Sequence, residues 1–307
     1  MSKHLDHILK VTQVASEVVL GKDLEIRQAL TCILAGGHLL IEDAPGVGKT
    51  TLVKTLSKLL GLESHRIQFT VDLLPSDILG SPIFDPRDQK FHFHPGPLFA
   101  PLILADELNR ASPRTQSALL QAMEEGEVSI DGVLYPLPQP FLVIATQNPH
   151  QQMGTFPLPE SQLDRFLMSL ELNYADSKTE IRIFSEVDPQ QKLKDLKPML
   201  NAGNLLEIQN EVRKVKVGEK VATYVSGLLT GSRSSKAQWQ PLSTRAGLAL
   251  IRAAQAHAYL EDRAFTRPDD VQAVLIPVLG HRLGGFHGIR QGRGFASSLQ
   301  ASTVVPI

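Results

Sequence analysis

The chain has 307 residues, which corresponds to about two domains and is long enough to bury a sizeable core. Hydrophobic residues make up 42% and charged residues 21%, the mixture of a soluble globular protein rather than a membrane-dominated one. The formal net charge of −1 argues against a dedicated nucleic-acid coat but allows a local basic groove. The single cysteine, Cys32, excludes an intramolecular disulfide and a thiolate zinc site, and we expect it to be a buried packing residue.

The N-terminal segment predicts helices and no targeting sequence. Residues 1–21 have neither a long apolar core nor a small-residue cleavage site, so we expect no signal peptide and a cytoplasmic protein. Apolar residues recur at helical spacing over residues 5–19 and 24–34, and Gly36 and Gly37 end the second pattern. Two helices are therefore expected before the first strand.

The middle of the chain alternates short apolar runs with helical patterns, which predicts an α/β fold with a parallel sheet. Two segments interrupt the alternation with paired short β-like runs around turns, and they are interpreted as inserted hairpins. The apolar runs cover residues 38–42, 66–71, 101–105, 141–146 and 166–172, the helical patterns residues 50–60 and 115–123, and the hairpins residues 84–97 and 127–140.

Strand signals fade beyond Tyr174, and the rest of the chain predicts helices over residues 205–217, 219–229, 245–260 and 268–279. We therefore divide the chain into an α/β domain of residues 1–174 and a helical domain of residues 175–307. The tail from His281 is rich in glycine and carries three arginines. It is interpreted as a solvated surface turn, with a phosphate-contacting loop as the alternative.

The strongest chemical signal is APGVGKTT, residues 44–51, which lies between an apolar run and a helix. Gly46 and Gly48 allow backbone N–H groups to point toward phosphate oxygens at a helix N-terminus. Lys49 is expected to reach the β and γ phosphates, and Thr50 to hold Mg²⁺ through its hydroxyl. The predicted nucleotide-binding residues are Asp43, which replaces the first glycine of the motif, Ala44, Pro45, Gly46, Val47, Gly48, Lys49, Thr50 and Thr51.

Two further apolar runs end in groups that suit phosphate hydrolysis. LILADE places Asp106 to bind Mg²⁺, usually through water, and Glu107 to polarise the water that attacks the γ-phosphate. FLVIATQNP delivers Asn148 to the same edge, where its amide can both accept from and donate to that water; a turn asparagine is the alternative. Either of these two signals alone is weak, but together with the glycine loop they predict ATP and Mg²⁺ chemistry.

APGVGKTT, LILADELNR, FLVIATQNP and LPESQLDRFLM resemble the AAA+ ATPase module, and HPGPLFAPLILADELNRASPRTQSALLQAMEEGEV resembles the MoxR family in particular. The resemblance covers almost the whole chain. It implies a five-stranded AAA+ sheet with a helical lid, in which the two hairpins are the insertions of this clade. It also implies a Mg²⁺-dependent ATPase ring, expected to be a hexamer, that remodels or matures partner protein complexes. Partners with von Willebrand A domains are expected, and direct nucleic-acid binding is not.

The resemblance also implies roles for residues outside the phosphate loop. Arg165 of LDRF would be an arginine finger that reaches the γ-phosphate of a neighbouring subunit; without the family it is a helix-end salt-bridge candidate. Arg245 of PLSTRAG would contact phosphate in its own subunit and couple the lid angle to the nucleotide state. Gln68 would hold Glu107 away from water in idle subunits, with a core or edge role as the alternative. Arg110 would form a further intersubunit contact.

Other interpretations share the same nucleotide loop. Glu124 and Glu125 are predicted to cap a helix or pair with a neighbour, and neither is expected to be catalytic. A magnesium-chelatase or helicase motor subunit is an alternative substrate assignment, although near-neutral charge disfavours the helicase. A non-hydrolysing nucleotide switch would leave Glu107, Asn148 and Arg165 without a purpose. A small-molecule kinase would explain the loop but gives no reason for LDRF.

Overall fold

A computed structural model describes residues 4–42, 46–147, 154–185, 189–234, 239–285 and 288–306. The strands are β1 (Leu39–Glu42), β2 (Ser64–Gln68), β3 (Gly80–Asp85), β4 (Lys90–Pro95), β5 (Leu102–Asp106), β6 (Glu127–Ile130), β7 (Val133–Pro136), β8 (Leu142–Gln147) and β9 (Met168–Leu170). The helices are α1 (Leu5–Val18), α2 (Asp23–Leu34), α3 (Lys49–Leu59), α4 (Pro75–Leu79), α5 (Pro113–Glu125), α6 (Glu160–Leu163), α7 (Ser177–Ser185), α8 (Pro189–Asp195), α9 (Ala202–Arg213), α10 (Glu219–Ser232), α11 (Thr244–Leu260), α12 (Pro268–Gly284) and α13 (Ile289–Ser302), with a 3₁₀ turn at Leu108–Arg110.

The central feature of the described chain is a five-stranded parallel sheet in the order β2-β5-β8-β1-β9, which confirms the predicted α/β class. Every residue of β1, β5 and β8 is buried, because helices cover both faces of the sheet. All five strands run the same way, so the groups that follow β1, β5 and β8 meet at one edge. We call this the carboxyl edge, and the opposite one the amino edge.

Alternate residues of the sheet strands enter two different cores. Leu39 and Ile41 belong to a core that also contains α1, α2, α3 and the C-terminal helices, whereas Leu40 points into a second core with α4 and α5. The period of two along a strand produces this division. Cys32 is buried in the first core, as expected. Within the described ranges, no helix has the length and apolar character needed to cross a membrane.

The two segments that interrupt the alternation form antiparallel hairpins, as predicted. β3 pairs with β4, and β6 pairs with β7, separately from the main sheet. The hairpins contact each other, since the ring of Phe93 stacks on that of Tyr135 with centroids 4.0 Å apart. They therefore form one paired projection beside the sheet.

The C-terminal tail differs from its prediction as a solvated turn. Instead, α12 continues to Gly284, and α13 packs closely against it. A Cβ atom on Gly292 would lie 2.0 Å from the carbonyl oxygen of Gly280, so only glycine allows this approach of two helices. Gly292 of the tail thus serves helix packing. The domain boundary at residues 174 and 175 remains a prediction.

Candidate functional site

The glycine loop follows β1 at the carboxyl edge. Gly46 and Gly48 have φ angles of +86° and +97°, which favour glycine, and Gly48 precedes the first residue of α3, Lys49. Among the described residues, a Cβ atom on either glycine would meet nothing within 4 Å, so these residues leave the space in front of the loop open. The loop therefore has the backbone conformation and the room of a phosphate cradle at a helix N-terminus. Asp43, Ala44 and Pro45 lie outside the described residues.

The structure brings together most of the predicted site residues that it describes. They line a cavity of about 320 Å³, named here the P-loop cavity. Loop glycines and a helix N-terminus form one wall, and two carboxylates at the end of β5 form the other. This combination joins a phosphate cradle to metal-binding oxygen atoms. The lining residues are Gly46, Gly48, Lys49, Thr50, Thr51, Asp106 and Glu107.

Asp106 is held by two residues that sequence analysis did not select. Its Oδ1 accepts a hydrogen bond of 2.6 Å from the Thr146 hydroxyl. Its Oδ2 accepts hydrogen bonds of 3.1 and 2.7 Å from Nε and Nη2 of Arg66. The side chain of Asp106 is only 12% exposed, so the arginine offsets the cost of a nearly buried carboxylate. Both partners orient the carboxylate that is predicted to serve Mg²⁺.

Glu107 is held in a strained position by surrounding polar groups. Its φ angle is +57°, and its backbone N–H donates to the Thr146 hydroxyl at 2.9 Å. Its Oε2 accepts a 3.0 Å hydrogen bond from Gln68 and lies 3.2 Å from Nε of Arg110. The contact expected between Gln68 and Glu107 is thus formed, whereas its switching role remains a prediction. Arg110 contacts Glu107 of its own chain, and the intersubunit contact expected of it remains a prediction.

The two missed residues had a signal in the strand pattern. Arg66 lies two residues before Gln68 on β2, so these two share a side of the strand, and Thr146 lies two residues before Asn148 in the sequence. Neither residue belongs to a phosphate-binding motif, and each can contact Asp106 only because its strand is a neighbour of β5. Asn148 itself lies outside the described residues, and its role stays a prediction.

A second, more apolar cavity of about 350 Å³ adjoins the glycine loop and shares Gly46, Gly48 and Thr51 with the P-loop cavity. The end of α1 and the segment from Tyr174 into α7 form its remaining walls. Gly21 allows the two walls to lie close together, since it has a φ of +69° and an added Cβ atom would lie 2.9 Å from Thr179. Sequence analysis missed this cavity, because its walls are some 150 residues apart. Its size and character suit a flat, largely apolar ring.

Arg165 and Arg245 lie away from the P-loop cavity, at the amino edge. The segment that carries Arg165 leads into β9, where the Leu167 N–H donates to the His38 carbonyl ahead of β1. Both guanidinium groups pair with Glu124 at the end of α5. The intervening strands β1, β5 and β8 have four to six residues, or roughly 10–17 Å at about 3.3 Å per residue. Arg245 therefore does not face the P-loop cavity of its own chain, and its expected contact with phosphate remains a prediction.

A cavity of about 420 Å³ surrounds this arginine pair, and we call it the amino-edge pocket. It lies between the N-terminal ends of β1 and β9, the end of α5 and the start of α11. Its charged lining residues are Glu124, Asp164, Arg165, Arg245, Arg252 and Arg282.

Helix α12 holds the segment that carries Arg165. The nearly buried Arg282 donates to Asp164 Oδ1 at 2.7 Å and to the Phe166 carbonyl at 2.7 Å. The adjacent His281 lies 3.0 Å from the same carbonyl, and burial together with the Arg282 charge holds the pKa of His281 well below its usual value. A neutral imidazole and a paired arginine thus fix the segment. Sequence analysis assigned both residues to a surface tail.

Known proteins resemble the chain over nearly its whole length. Residues 38–168 match the ATPase family associated with various cellular activities (AAA), and residues 232–297 match the AAA lid domain. The chain is 40% identical to YeaC of Bacillus subtilis, described as uncharacterized, over 97% of this chain and 94% of that one. It is 38% identical to Chaperone MoxR1 of Mycobacterium tuberculosis, over 87% and 72% respectively. A crystal structure of a candidate ATPase from Cytophaga hutchinsonii has a TM-score of 0.88 and 36% identity, covering 99% and 96%.

A parallel sheet of this order, a glycine loop at its carboxyl edge and a matched lid define the AAA+ class of P-loop proteins. With its identity to Chaperone MoxR1 over most of both chains, this chain belongs to the MoxR family of AAA+ ATPases. The residues also fit a nucleotide with a metal. The open cradle at Gly46 and Gly48 has room for phosphate, and carboxylate and hydroxyl oxygens are the donors that Mg²⁺ prefers.

Proposed function

We propose that the chain hydrolyses ATP with Mg²⁺ at the carboxyl edge of its sheet. The observation that carries this proposal is the P-loop cavity, in which Lys49, Thr50, Asp106 and Glu107 face the same space. Hydrolysis needs a phosphate anchor, a metal site and a group that activates water, and these four side chains supply one of each. A non-hydrolysing switch would need only the anchor.

Each residue has a separate part in the proposed reaction. Lys49 and the loop N–H groups bind the phosphates, and Thr50 and Asp106 hold the metal, which neutralises phosphate charge when bound. Glu107 accepts a proton from the attacking water, and Asn148 orients that water. Gln68 supports an idle conformation, since its amide donates to the Glu107 carboxylate.

The apolar pocket beside the glycine loop is the proposed site for the adenine ring. It shares Gly46, Gly48 and Thr51 with the P-loop cavity, so one ligand could extend through both. Its aliphatic and aromatic walls suit a base, whereas the polar P-loop cavity suits phosphates. This division supports a nucleotide in preference to inorganic phosphate as the ligand.

The proposed assembly is a ring, expected to be a hexamer, with active sites between subunits. Arg165 and Arg245 both line the amino-edge pocket, and both lie far from the P-loop cavity of their own chain. A head-to-tail contact would set the amino-edge pocket of one subunit against the P-loop cavity of the next. Arg165 then acts as the arginine finger, and Arg245 contacts phosphate of the neighbouring subunit.

The proposed cellular role is chaperone-like remodelling or maturation of partner protein complexes in the cytoplasm. The name of the relative Chaperone MoxR1 supports this role. A partner with a von Willebrand A domain is part of the proposal, and direct contact with nucleic acid is not. The paired hairpins project from the sheet and expose Ile83, Phe84 and Phe91, which offers an apolar surface to a protein client.

Phosphate release tests the proposal directly. Turnover of Mg-ATP is measured against protein concentration for wild type and Lys49→Ala, with mass followed by light scattering. We expect specific activity to rise with assembly and Lys49→Ala to lack it. Lys54→Ala is the matched control, because Lys54 is exposed on the same helix and outside the cavity. Absence of wild-type turnover at every concentration would refute ATP hydrolysis, and a rate independent of assembly would refute the ring.

A further inference from the structure

The amino-edge pocket carries an excess of positive charge. Four arginines and two carboxylates line it. Arg282 and Asp164 satisfy each other, and the arginine of this pair has a nearly buried side chain. One carboxylate, Glu124, then remains for three guanidinium groups. The pocket is therefore an anion-attracting surface whose charge is only partly neutralised by the carboxylates that the structure describes there.

Glu124 occupies the space between two of these arginines. Its Oε2 lies 2.9 Å from Nη2 of Arg165, and its Oε1 accepts a hydrogen bond from Nη2 of Arg245. The hydrogen bond from Arg245 and the charge of Arg165 hold the pKa of Glu124 below its usual value, so the group is ionised at neutral pH. One carboxylate thus bridges the α/β core, which carries Arg165, and helix α11, which carries Arg245.

The side chains of Glu124, Arg165 and Arg245 are accessible to a solute, although the backbone segments that carry them are held in place. The side chains of Glu124, Arg165 and Arg245 are 38%, 26% and 52% exposed. Within the described residues, the buried Nε of Arg165 has no hydrogen-bond partner. His38 secures the end of α5, since its Nε2 lies 3.1 Å from the Met123 carbonyl. An incoming anion would therefore need to move side chains only.

We propose that Glu124 is an internal competitor in the amino-edge pocket, and that a phosphate group displaces its carboxylate from Arg165 and Arg245. The inference rests on the proposed function, because the favoured source is a nucleotide bound in the P-loop cavity of a second copy of the chain. Free inorganic phosphate offers the same chemistry from another source.

A phosphate group suits the exchange better than another carboxylate would. It presents three terminal oxygens and about two negative charges, which match two guanidinium groups and the charge excess of the pocket. Guanidinium groups bind carboxylate and phosphate through the same paired N–H groups, so Glu124 and phosphate compete for the same donors. Removal of the Glu124 charge should strengthen phosphate binding, whereas loss of a purely structural contact would weaken it.

Assembly of the full-length chain gives the first test. Assembled mass is measured against protein concentration with Mg²⁺ and a non-hydrolysable ATP analogue. Because two partly exposed ion pairs no longer compete, Glu124→Gln should lower the concentration needed for half-assembly by about fivefold. Glu125→Gln is the matched control, since this next residue of α5 accepts its hydrogen bonds from Gln121. It should leave the midpoint unchanged.

A titration with inorganic phosphate gives the second test and separates the two sources. Melting temperature is followed in a Lys49→Ala background, so that the P-loop contributes little, with and without Glu124→Gln. The second substitution should tighten phosphate binding about fivefold. A shift in this titration without a shift in assembly would identify free phosphate as the ligand.

Unchanged phosphate binding together with unchanged or weaker assembly in Glu124→Gln would overturn the inference. The proposed function would survive that result if wild type hydrolyses ATP. Conversely, wild type without ATP turnover would refute the proposed function, and the phosphate titration would still decide the inference.

Discussion

The two edges of the central sheet differ in charge and in the way the chain builds them. The carboxyl edge presents a glycine cradle beside Asp106 and Glu107, and its residues come from short segments directly after strands. The amino edge presents arginines gathered from the β9 approach, α11 and α12, with a carboxylate from α5. Local sequence motifs therefore supply most of the site at the carboxyl edge. The pocket at the amino edge forms only when the C-terminal helices pack against the sheet. The comparison teaches that a single subunit separates its phosphate-binding loop from the arginines expected to act on phosphate.

Loss of the proposed arginine finger at the amino edge should have the strongest effect on turnover. Arg165→Ala should lower ATP turnover about 10⁴-fold, because the charge that stabilises the transition state is lost. Binding of a fluorescent ATP analogue to the P-loop should persist, since the two edges are separate. Mixing Arg165→Ala with Lys49→Ala subunits should restore activity that neither has alone. Normal turnover of Arg165→Ala by itself would show that Arg165 is not needed for hydrolysis, and it would contradict separate roles for the two edges.

A change at the carboxyl edge should act on hydrolysis without affecting binding. Glu107→Gln should lower turnover about 10³-fold, because the amide cannot accept the proton of the attacking water. ATP binding should remain, and the assembled form should live longer in light scattering. Glu63→Gln, an exposed carboxylate change before β2, should have wild-type turnover. Retained hydrolysis in Glu107→Gln would exclude Glu107 as the base.

Low pH should lower the free energy of unfolding through a histidine at the amino edge, and among the described residues no such histidine lines the P-loop cavity at the carboxyl edge. Burial lowers the pKa of His38 to about 4, below the value near 6.5 of an unfolded chain. Between these values the unfolded state binds a proton and the folded state does not, so stability falls as pH decreases from about 6.5 to about 4. His38 should contribute about 3 kcal/mol to this loss. Buried His281 acts with the same sign.

Denaturant unfolding at pH 7 and pH 4.5 measures that loss. His38→Gln keeps a polar side chain but has no proton to gain, so its free energy of unfolding should depend less on pH than that of wild type. An identical pH dependence in the two proteins would mean that protonation of His38 is not coupled to unfolding.

The smallest expected effect concerns the idle conformation at the carboxyl edge. Gln68→Ala removes a hydrogen bond to Glu107, which should free that carboxylate and raise basal turnover about threefold. Gln121→Ala is a matched control, because Gln121 also donates to a glutamate, at the end of α5. A fall in turnover for Gln68→Ala would indicate that Gln68 orients Glu107 for the reaction.

Prediction from sequence was most successful where chemistry follows a strand directly. The sheet, the two hairpins and the joint cavity of Lys49, Thr50, Asp106 and Glu107 were all expected from local patterns. Arg66 and Thr146 were missed, because their value depends on the β2-β5 and β5-β8 pairings that bring them to Asp106. Roles of individual residues in the reaction remain predictions.

The placement of Arg245 shows a different limit. Its motif predicted a phosphate contact, but the subunit in which that contact forms depends on where α11 packs. In the structure α11 packs toward the amino edge, and Ser243 at its N-cap donates to Asp164 at 3.3 Å. A local pattern contains no information about which edge a distant helix approaches.

Sequence by itself determined the class of fold, the phosphate loop and the carboxylates, because strand periodicity and glycine conformation act over a few residues. Tertiary structure alone decided that the glycine-rich tail is a pair of closely packed helices and that Arg282 fixes the Arg165 segment. It also decided that Glu124 joins Arg165 and Arg245. The contacts of Arg282 and Glu124 bridge 41 to 121 positions of sequence, and packing of the C-terminal helices on one face of the sheet helps to bring them together.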